Sequence, residues 1–253
     1  MEVNSLLTEE RHRIILQLLK EKEIVHVQEL VEALSSSEST IRRDLSQLEE
    51  KKLLKRVHGG ASLLKQKGEE LSISEKSSKN SEEKERIAEY AASLIRDGDC
   101  IYFDAGTTVF AMIPYIQAKD LIVVTNGVTH ITPLLEKGMN TYVVGGYVKG
   151  KTNAIIGQRA IESLTGYRFD KCFIGVNGIH SEYGFTTPDP EEATIKSKAI
   201  SLGQQVYVLA DHSKLHEVTF SKIAQLEEAV IITNENDDDI LKDFKNKTSI
   251  ISI

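Results

Sequence analysis

Apolar residues recur at helical spacing in three short segments near the start of the chain. They predict helices over residues 8–22, 27–34 and about 38–50. The polar turn Ser35–Ser37 separates the second helix from the third, and the Ser37 hydroxyl can satisfy a free backbone N–H in the first turn of the third helix. The order of these segments predicts a helix-turn-helix.

The third predicted helix has two chemically different sides. Ile41, Leu45 and Leu48 fall at i, i+4 and i+7, and they form one apolar stripe. The other faces carry hydroxyls and adjacent arginines, which can bond base edges and phosphates of DNA. This composition indicates a recognition helix. We expect its DNA contacts to come from Ser37, Ser39, Thr40, Arg42 and Arg43.

The segment KKLLKRVHGGA, residues 51–61, is typical of a short basic β-ribbon with a glycine turn, which is called a wing. Its expected DNA contacts are Lys55, Arg56, His58 and Gly59. Residues 42–65 contain seven basic and three acidic residues, a net charge of +4, whereas the whole chain has a net charge of −7. A local basic face is what DNA contact requires. The alternative is an exposed amphipathic helix in a protein-binding bundle, but the cap, arginines and wing in this order favour DNA.

The chain has 253 residues, which is enough for a small domain joined to a larger one. The polar segment 64–80 is predicted to be a linker, so the expected domains are 1–63 and 81–253. The N-terminus lacks the apolar stretch of a signal peptide, and no apolar run is long enough to span a membrane, so we expect a cytoplasmic protein. Cys100 and Cys172 lie within apolar runs and are expected to be buried thiols.

The larger domain alternates short apolar runs with amphipathic stretches. The predicted strands are 100–104, 121–125, 141–146, 172–177, 205–211, 229–233 and 249–253. A helix is predicted from about residue 81, and further helices around 107–116, 128–137, 154–164 and 190–202. Because the runs are almost continuously apolar, we expect a sheet covered on both faces. The alternation predicts a doubly wound α/β domain.

Sheets of this kind bind ligands outside the carboxyl ends of their strands. The first strand leads into Asp104, Ala105, Gly106, Thr107 and Thr108, and then into a helix. Glycine permits close approach of an anion, and the threonine hydroxyls and free helix N–H groups can donate to it. The other candidate ligand-binding residues are Thr125, Asn126, Gly145, Gly146, Asn177, Gly178 and Lys214. Each turn alone could be purely structural, but together these strand ends favour a sugar-phosphate site.

Two pairs of residues in the larger domain are four apart. Glu192 and Lys196 can share a helix face directed at the pocket, although their spacing alone favours a surface ion pair. His212 and His216 have the spacing of a zinc pair, but no metalloprotease motif surrounds them. We therefore expect no metal and no cofactor.

Several motifs resemble those of the DeoR family of bacterial sugar-operon regulators. Residues 37–61 resemble its helix-turn-helix signature, and FDAGTT, VTNG, FIGVNGI and LADHSK resemble landmarks of its effector domain, so the resemblance covers essentially the whole chain. Ser36 departs from the family, which usually has an apolar residue there. The resemblance implies an effector domain similar in fold to ribose-5-phosphate isomerase and glucosamine-6-phosphate deaminase. It places a phosphorylated sugar among Asp104, Gly106, Thr107, Thr108 and Lys214.

The related isomerases need carboxylates for proton transfer, typically in an Asp-Gly-Ala-Asp stretch. The similar stretch here is GVNG, residues 175–178, and the amide of Asn177 can bond a sugar hydroxyl but cannot act as a general base. Asp104, Asp189 and Glu192 remain as possible bases. A sensor is therefore favoured, and an isomerase- or deaminase-like enzyme with a fused DNA-binding head is the alternative. A DNA-architectural protein is a third option, which would leave the polar strand ends without a purpose.

Within the family, residues 55–61, 72–80 and 92–108 are most similar to fructose-operon repressors of Gram-positive bacteria. This similarity implies fructose 1-phosphate as the effector, although lactose (tagatose 6-phosphate) and glycerol 3-phosphate regulators share most of the landmarks. We expect a homo-oligomer, a dimer or tetramer, whose winged heads match the spacing of half-sites in double-stranded operator DNA. The sugar phosphate would favour a conformation in which that spacing no longer fits, and the usual outcome in the family is repression.

Overall fold

A computed structural model of the chain describes residues 8–22, 24–51, 53–57, 59–63 and 70–253. The chain divides into two compact units, Met1–Gln66 and Lys67–Ile253, which are called the first unit and the second unit below. The segment predicted as a linker, 64–80, therefore contributes its residues 70–80 to the second unit.

The first unit contains three helices and a small antiparallel sheet. The helices are α1 (Thr8–Lys22), α2 (Val27–Leu34) and α3 (Glu38–Glu50), and the strands are β1 (Ile24–His26), β2 (Leu54–Val57) and β3 (Gly60–Leu63). The strand order is β1-β3-β2, with β3 in the middle. The three helices and the wing ribbon lie where the sequence predicts them, and β1 is an additional short strand. This arrangement is a winged helix-turn-helix.

The core of the first unit is built from the apolar faces of all three helices. Ile15, Leu30, Ile41, Leu45 and Leu48 are at most 1% exposed. The stripe at i, i+4 and i+7 of α3 is thus the buried side of that helix, as its spacing predicts. The opposite side of α3 is left in solvent.

The second unit is organised around a seven-stranded parallel sheet. Its strands are β4 (Cys100–Phe103), β5 (Ile122–Thr125), β6 (Asn140–Val143), β9 (Phe169–Gly175), β12 (Gly203–Leu209), β14 (Val230–Thr233) and β15 (Ile250–Ser252). These are the seven predicted strands. Their order is β15-β14-β12-β9-β4-β5-β6, so the chain winds outward in both directions from the β4–β9 pair. The doubly wound α/β fold is confirmed.

Helices and two small antiparallel sheets complete the second unit. The helices are α4 (Ile73–Ser78), α5 (Ser81–Ser93), α6 (Thr107–Met112), α7 (Ile131–Glu136), α8 (Gln158–Thr165), α9 (Pro190–Leu202) and α10 (Asp238–Lys245). The small sheets pair β7 (Tyr147–Lys149) with β8 (Ala154–Ile156), and β11 (Gly184–Thr187) with both β10 (Gly178–His180) and β13 (Ser221–Ala224). The helix predicted over 154–164 is wrong at its start, because Ala154–Ile156 form strand β8.

Successive residues of the central strands pack into two separate apolar layers. Tyr102 and Cys172 lie in one layer with α8, α9 and α10, whereas Ile101, Phe103 and Phe173 lie in the other with α5 and α6. This alternation follows from the two-residue period of a strand and explains why the runs are almost continuously apolar. Cys172 is a buried free thiol and Cys100 a partly buried one.

Candidate DNA-binding surface and effector site

The start of α3 forms a cluster of hydroxyls in solvent. Ser37 is the N-cap, as predicted, and its side chain accepts a hydrogen bond from the backbone N–H of Thr40 at 3.3 Å. The Ser37 hydroxyl also lies 3.0 Å from that of Ser39 and 2.8 Å from that of Thr40. The first turn therefore has a fixed shape, and it leaves hydroxyl groups exposed for a ligand with many acceptors, such as DNA.

The two adjacent arginines of α3 are both exposed but differ in their partners. Arg42 donates through Nε at 2.9 Å and through Nη2 at 2.6 Å to one carboxylate oxygen of Glu38. For Arg43, within the part of the chain that the structure describes, no side-chain partner is found. Arg43 can thus bond a base or a phosphate without first leaving an ion pair.

The wing strand β2 carries Lys55 and Arg56, both exposed. The turn after it contains Gly59, whose positive φ of 76° is the left-handed conformation that glycine adopts readily. Gly59 is exposed at the tip, and its carbonyl accepts a hydrogen bond from Val27 N–H at 2.8 Å. His58, the remaining predicted contact in the wing, lies outside the described residues.

A buried ion pair beneath this surface is not part of the sequence prediction. Asp44 of α3 is 2% exposed and accepts from Arg11 of α1 through both oxygens, at 2.7 and 3.0 Å. His12 Nε2 lies 3.3 Å from the same carboxylate. The helical spacing could have predicted the burial of Asp44, because this residue falls on the inward side of α3 next to Leu45. The pair fixes the position of α3 against α1.

In the second unit, Asp104 follows β4 at the point where the strand order reverses. It is fully buried, and its Oδ2 accepts from the Gly175 N–H at the end of β9 at 3.0 Å. Lys196 of α9 donates to the same oxygen at 2.5 Å. Open α/β sheets bind ligands at this reversal, in the crevice between the diverging strands. The structure thus brings together two predicted site residues, Asp104 and Lys196, that are 92 positions apart.

The loop after β4 is held by the end of the neighbouring strand β5. The Asn126 side chain accepts from the Ala105 N–H at 3.0 Å and donates to the Ile155 carbonyl at 3.2 Å. The Thr125 hydroxyl donates to the Phe103 carbonyl at 2.8 Å. Thr125 and Asn126 are at most 1% exposed, so they support the loop from within the fold.

Gly106 is the residue before α6, and it lies against Gly175. A Cβ at position 106 would approach the Gly175 Cα and an Asp104 carboxylate oxygen to 3.3 Å. Thr107 and Thr108 begin the six-residue helix α6, with Thr107 partly exposed and Thr108 buried. The glycine therefore permits the β4 and β9 ends to meet closely, whereas the approach of an anion to it stays a prediction.

Glu192 and Lys196 are both 5% exposed, so the alternative of a surface ion pair is wrong. Glu192 accepts from the Thr152 hydroxyl at 2.7 Å and from Lys149 at 3.1 Å. Burial by itself raises the pKa of Glu192, but Lys196 and the Thr152 hydrogen bond lower it more, and the resulting pKa is below its ordinary value. Lys149 also contacts Asp189 at 2.7 Å. Lys149 and Thr152 extend the polar wall beyond the predicted residues, and Asp189, one of the possible bases, lies in the same wall.

Lys214 lies at the carboxyl end of β12 beside a second buried carboxylate. Asp211 is 1% exposed and accepts from Asn80 at 2.8 Å, and Lys214 Nζ is 3.9 Å from its Oδ2. Lys84 of α5 is buried, donates to the Lys79 carbonyl at 2.5 Å, and has a pKa lowered by its burial. Lys84 has no counterpart in the sequence prediction, since its position on an amphipathic helix resembles that of an ordinary surface lysine.

Four predicted ligand contacts are engaged in packing. Gly145 N–H donates to Ser163 at 3.2 Å, and a Cβ on Gly146 would lie 2.7 Å from the Ile156 carbonyl oxygen. Asn177 accepts from the Thr187 hydroxyl at 3.0 Å, and a Cβ on Gly178 would lie 2.5 Å from the Glu217 carbonyl oxygen. These contacts explain the small residues structurally, and a role for them in ligand binding stays a prediction.

His130 is a buried residue near the site that the sequence prediction does not include. Its ring is fully buried, lies edge-on to Phe110 with centroids 5.5 Å apart, and packs directly on Gly127, where a Cβ would come within 1.8 Å of Nδ1. Burial lowers its pKa to about 4. Asp104 and the backbone of Gly127 and Gly106 oppose this lowering without reversing it. Within the described residues, Oδ1 of Asp104 is buried without a hydrogen-bond partner.

The two histidines with zinc-like spacing have separate surroundings. His212 faces Asn234, with 3.3 Å between Nδ1 and the amide nitrogen, whereas His216 Nε2 lies 3.0 Å from the Ile240 carbonyl. Across residues 8–22, 24–51, 53–57, 59–63 and 70–253, no group of three or more His, Cys, Asp or Glu side chains is arranged to hold a metal ion. Over the same residues no helix is both long and apolar enough to cross a membrane.

The chain resembles several solved structures only distantly. Ribose-5-phosphate isomerase A from Methanocaldococcus jannaschii aligns with 53% of this chain and 54% of its own, at 16% identity and a TM-score of 0.40. The full-length sorbitol operon regulator SorC from Klebsiella pneumoniae aligns with 81% of this chain and 90% of its own, at 12% identity and a TM-score of 0.39.

Sequence relatives are much closer. The Bacillus subtilis protein named uncharacterized HTH-type transcriptional regulator FruR is 50% identical over 97% of this chain and 98% of its own length. The B. subtilis transcriptional repressor GlcR is 38% identical over 90% and 88%, and the Staphylococcus aureus lactose phosphotransferase system repressor is 34% identical over 91% and 93%. Because these relatives are named as regulators and repressors, a regulator rather than an enzyme is supported.

Two family profiles match the chain, one in its N-terminal part and one in the larger part that follows. The DeoR-like helix-turn-helix domain matches residues 11–67, and the DeoR C terminal sensor domain matches residues 79–235. The first match includes α3 and the wing, and the second includes the β4–β9 reversal with Asp104 and Lys196. The chain is therefore a DNA-binding transcriptional regulator that belongs to the DeoR family.

Proposed function

We propose that this regulator represses a fructose-utilisation operon in the cytoplasm and leaves its operator when it binds fructose 1-phosphate. The DNA contacts would come from the exposed start of α3 and from the wing. The effector would bind at the carboxyl ends of β4, β5, β9 and β12. The chain would act as a homo-oligomer, because paired heads are needed to contact two operator half-sites.

The observation that carries this proposal is the buried polar centre at the β4–β9 reversal. Asp104, Lys196 and Glu192 are at most 5% exposed, and desolvating three such charges is costly unless they serve each other or a ligand. Within the described residues, Oδ1 of Asp104 is buried without a hydrogen-bond partner, so it can still accept from a sugar hydroxyl. Asp104 suits a hydroxyl and repels a phosphate, so we place the phosphate away from it, toward Lys214 and Lys84, whose two positive charges exceed the single negative charge of Asp211.

The choice of sugar rests on the relatives and on sequence motifs. The similarity to FruR at 50% identity, together with residues 72–80 and 92–108, favours fructose 1-phosphate over the other effectors. The lactose repressor at 34% identity makes tagatose 6-phosphate the second candidate. A sugar phosphate can shift the DNA-binding equilibrium only as far as its affinities for the bound and released conformations differ. The same factor must describe the effect of DNA on the sugar phosphate.

An operator titration tests the proposal. A duplex enriched from a random library by the purified chain would be titrated in the presence of fructose 1-phosphate, tagatose 6-phosphate, glycerol 3-phosphate or unphosphorylated fructose. We expect fructose 1-phosphate to weaken operator binding at the lowest concentration, and fructose to have no effect. If tagatose 6-phosphate released the operator at a lower concentration, it would replace fructose 1-phosphate as the proposed effector. If no sugar phosphate changed operator binding, the proposal that a sugar phosphate is the effector would be wrong.

A matched pair of lysine variants locates the phosphate. Fructose 1-phosphate at 100 times its dissociation constant should stabilise the folded chain by about 2.7 kcal/mol. We expect Lys214→Ala to lose most of this stabilisation in a thermal-shift measurement. Lys222→Ala, which removes an exposed lysine from β13, should retain it. If fructose 1-phosphate raises the unfolding temperature of both variants equally, the phosphate does not bind at Lys214.

A further inference from the structure

A bridge of hydrogen bonds joins the wing strand β2 to α3. Arg56 Nη1 donates to the Ser46 hydroxyl at 3.0 Å, and the Arg56 backbone N–H donates to a carboxylate oxygen of Glu49 at 2.8 Å. The Ser46 hydroxyl in turn donates to the Arg42 carbonyl at 3.0 Å. Both the backbone and the side chain of Arg56 are therefore tied to α3.

Ser46 lies on the face of α3 that is directed away from the core. Ile41 and Leu48 mark the buried side and are at most 1% exposed. At 100° per residue, Ser39, Arg43 and Ser46 all project within about 40° of the opposite direction. Arg43 is exposed, as this placement requires. The Arg56 guanidinium thus reaches the same face from which Arg43 projects.

The pleat of β2 explains why this arginine, and not its neighbour, reaches the helix. Side chains alternate along a strand, so Leu54 and Arg56 share one side and Lys55 points to the other. Leu54 is 1% exposed within the core of the first unit. The next side chain on that side is Arg56, which is long enough to pass the core and reach Ser46.

We propose that Arg56 reads a guanine in the major groove together with α3, and that Ser46 is its positioning residue. A guanidinium donates two parallel hydrogen bonds to O6 and N7 of guanine. Of its five N–H groups, one is used by Ser46, and within the described residues no other side-chain acceptor is found for the rest. This assignment rests on DNA binding by the first unit and is independent of the effector.

The geometry also predicts which base pair Arg56 reads. Ser46 follows Arg43 by three residues, which is about 4.5 Å along the helix axis. Successive bases of one strand are about 3.4 Å apart. We therefore expect the guanine read by Arg56 to lie one or two base pairs from the position contacted by Arg43. A wing that only anchored a phosphate would show no such base preference.

Selection from a random duplex library tests the proposal in the full-length chain. Wild type, Arg56→Gln, Arg43→Ala and Lys55→Gln would be compared by sequencing the bound DNA. We expect Arg56→Gln to lose about ten-fold or more discrimination at one G·C pair in each half-site. Arg43→Ala should change a position one or two pairs away. Lys55→Gln, from the other side of the same strand, should keep the wild-type pattern and lower affinity for all sequences alike.

The opposite pattern would overturn the proposal. Arg56→Gln could instead weaken binding to all DNA sequences equally and reduce the slope of log K against log salt concentration by about one. Arg56 would then contact a phosphate. Ser46→Ala should reduce preference at the same G·C pair without changing affinity for non-specific duplex, and Ser46→Thr, which retains the hydroxyl, should restore it. An unchanged preference in Ser46→Ala would show that Ser46 does not position Arg56. Thermal unfolding of each variant separates these outcomes from loss of fold.

Discussion

The two units hold their functional polar groups in opposite ways. In the first unit the candidate DNA contacts, such as Arg43 and Arg56, are exposed, and the buried Arg11–Asp44 pair joins α1 to α3. In the second unit, Asp104 and Lys196 are candidate ligand contacts, and they are themselves buried partners of each other. DNA is too large to enclose, whereas a small metabolite can be surrounded.

This difference has an energetic consequence. Exposed charges contribute little to folding stability, so their removal should affect binding alone. Removing one partner of a buried pair leaves an uncompensated charge, which destabilises the fold strongly. Binding and stability should therefore be separable in the first unit and inseparable at the buried Asp104–Lys196 pair of the second unit.

The largest effect is expected for Lys196→Met. The side chains of Lys196 and Asp104 are 7% and 1% exposed, and among the described residues the variant leaves the Asp104 carboxylate with the Gly175 N–H as its one hydrogen-bond donor. We expect the second unit to lose about 3–5 kcal/mol of unfolding free energy and to lose effector binding at the same time. Urea unfolding followed by circular dichroism measures the loss, and hydrogen exchange assigns it to the second unit.

Lys198→Met is the matched control for that measurement. Lys198 lies on the same helix and is partly exposed, so its replacement should change the unfolding free energy by no more than about 0.5 kcal/mol. Equal losses in the two variants, or a stable Lys196→Met chain, would contradict the inseparability of binding and stability at the Asp104–Lys196 pair.

A smaller effect, specific to the second unit, is expected on acidification. Burial lowers the pKa of His130 from 6.5 to about 4. As the pH falls from 6.5 to 4, the unfolded chain takes up a proton that the folded chain does not, so stability decreases across this window by up to about 3 kcal/mol. Urea unfolding at several pH values should show a shallower decrease for His130→Gln. His180→Gln, which removes a partly exposed histidine, should keep the wild-type slope.

The same contrast explains what the sequence could predict. Helices α1 to α3 begin and end where their apolar period and the Ser37 cap indicate, because these signals are local. The seven central strands can be predicted because both faces of the sheet are covered, which makes the sequence of each strand almost continuously apolar. The pairing of Asp104 with Lys196 is not visible, because it depends on how two elements 92 residues apart are brought together.

The remaining misses have similar causes. Strand β8 is the apolar run Ala154–Ile156, which is too short to distinguish from the start of a helix. For Gly146 the structure adds a packing reason that the sequence does not show, a close approach to Ile156, and its role as a ligand contact stays a prediction. The burial of His130 cannot be predicted from the sequence either, because it depends on packing against Phe110 and Gly127.

In the first unit, Arg43→Ala should separate binding from stability. We expect operator binding to weaken by about 1–3 kcal/mol, while the unfolding free energy changes by no more than about 0.5 kcal/mol. Fluorescence anisotropy with a labelled operator duplex measures the first quantity, and urea unfolding the second. Arg13→Ala removes an exposed arginine of α1 that pairs with Glu10, and it should change neither. A loss of stability as large as the loss of binding would mean that Arg43 supports the fold.

At Ser37 the effects on DNA binding and on stability are expected to overlap. This residue is exposed, like the other candidate DNA contacts, and it also caps α3. Ser37→Ala removes the acceptor for the Thr40 N–H and should lower the unfolding free energy of the first unit by about 1 kcal/mol, with a loss of operator affinity. Asparagine caps a helix as well as serine, so Ser37→Asn should restore stability in urea unfolding. If operator affinity returns with it, Ser37 acts through the shape of the first turn. If affinity stays low while stability returns, the serine hydroxyl itself contacts DNA, and one side chain then performs both roles.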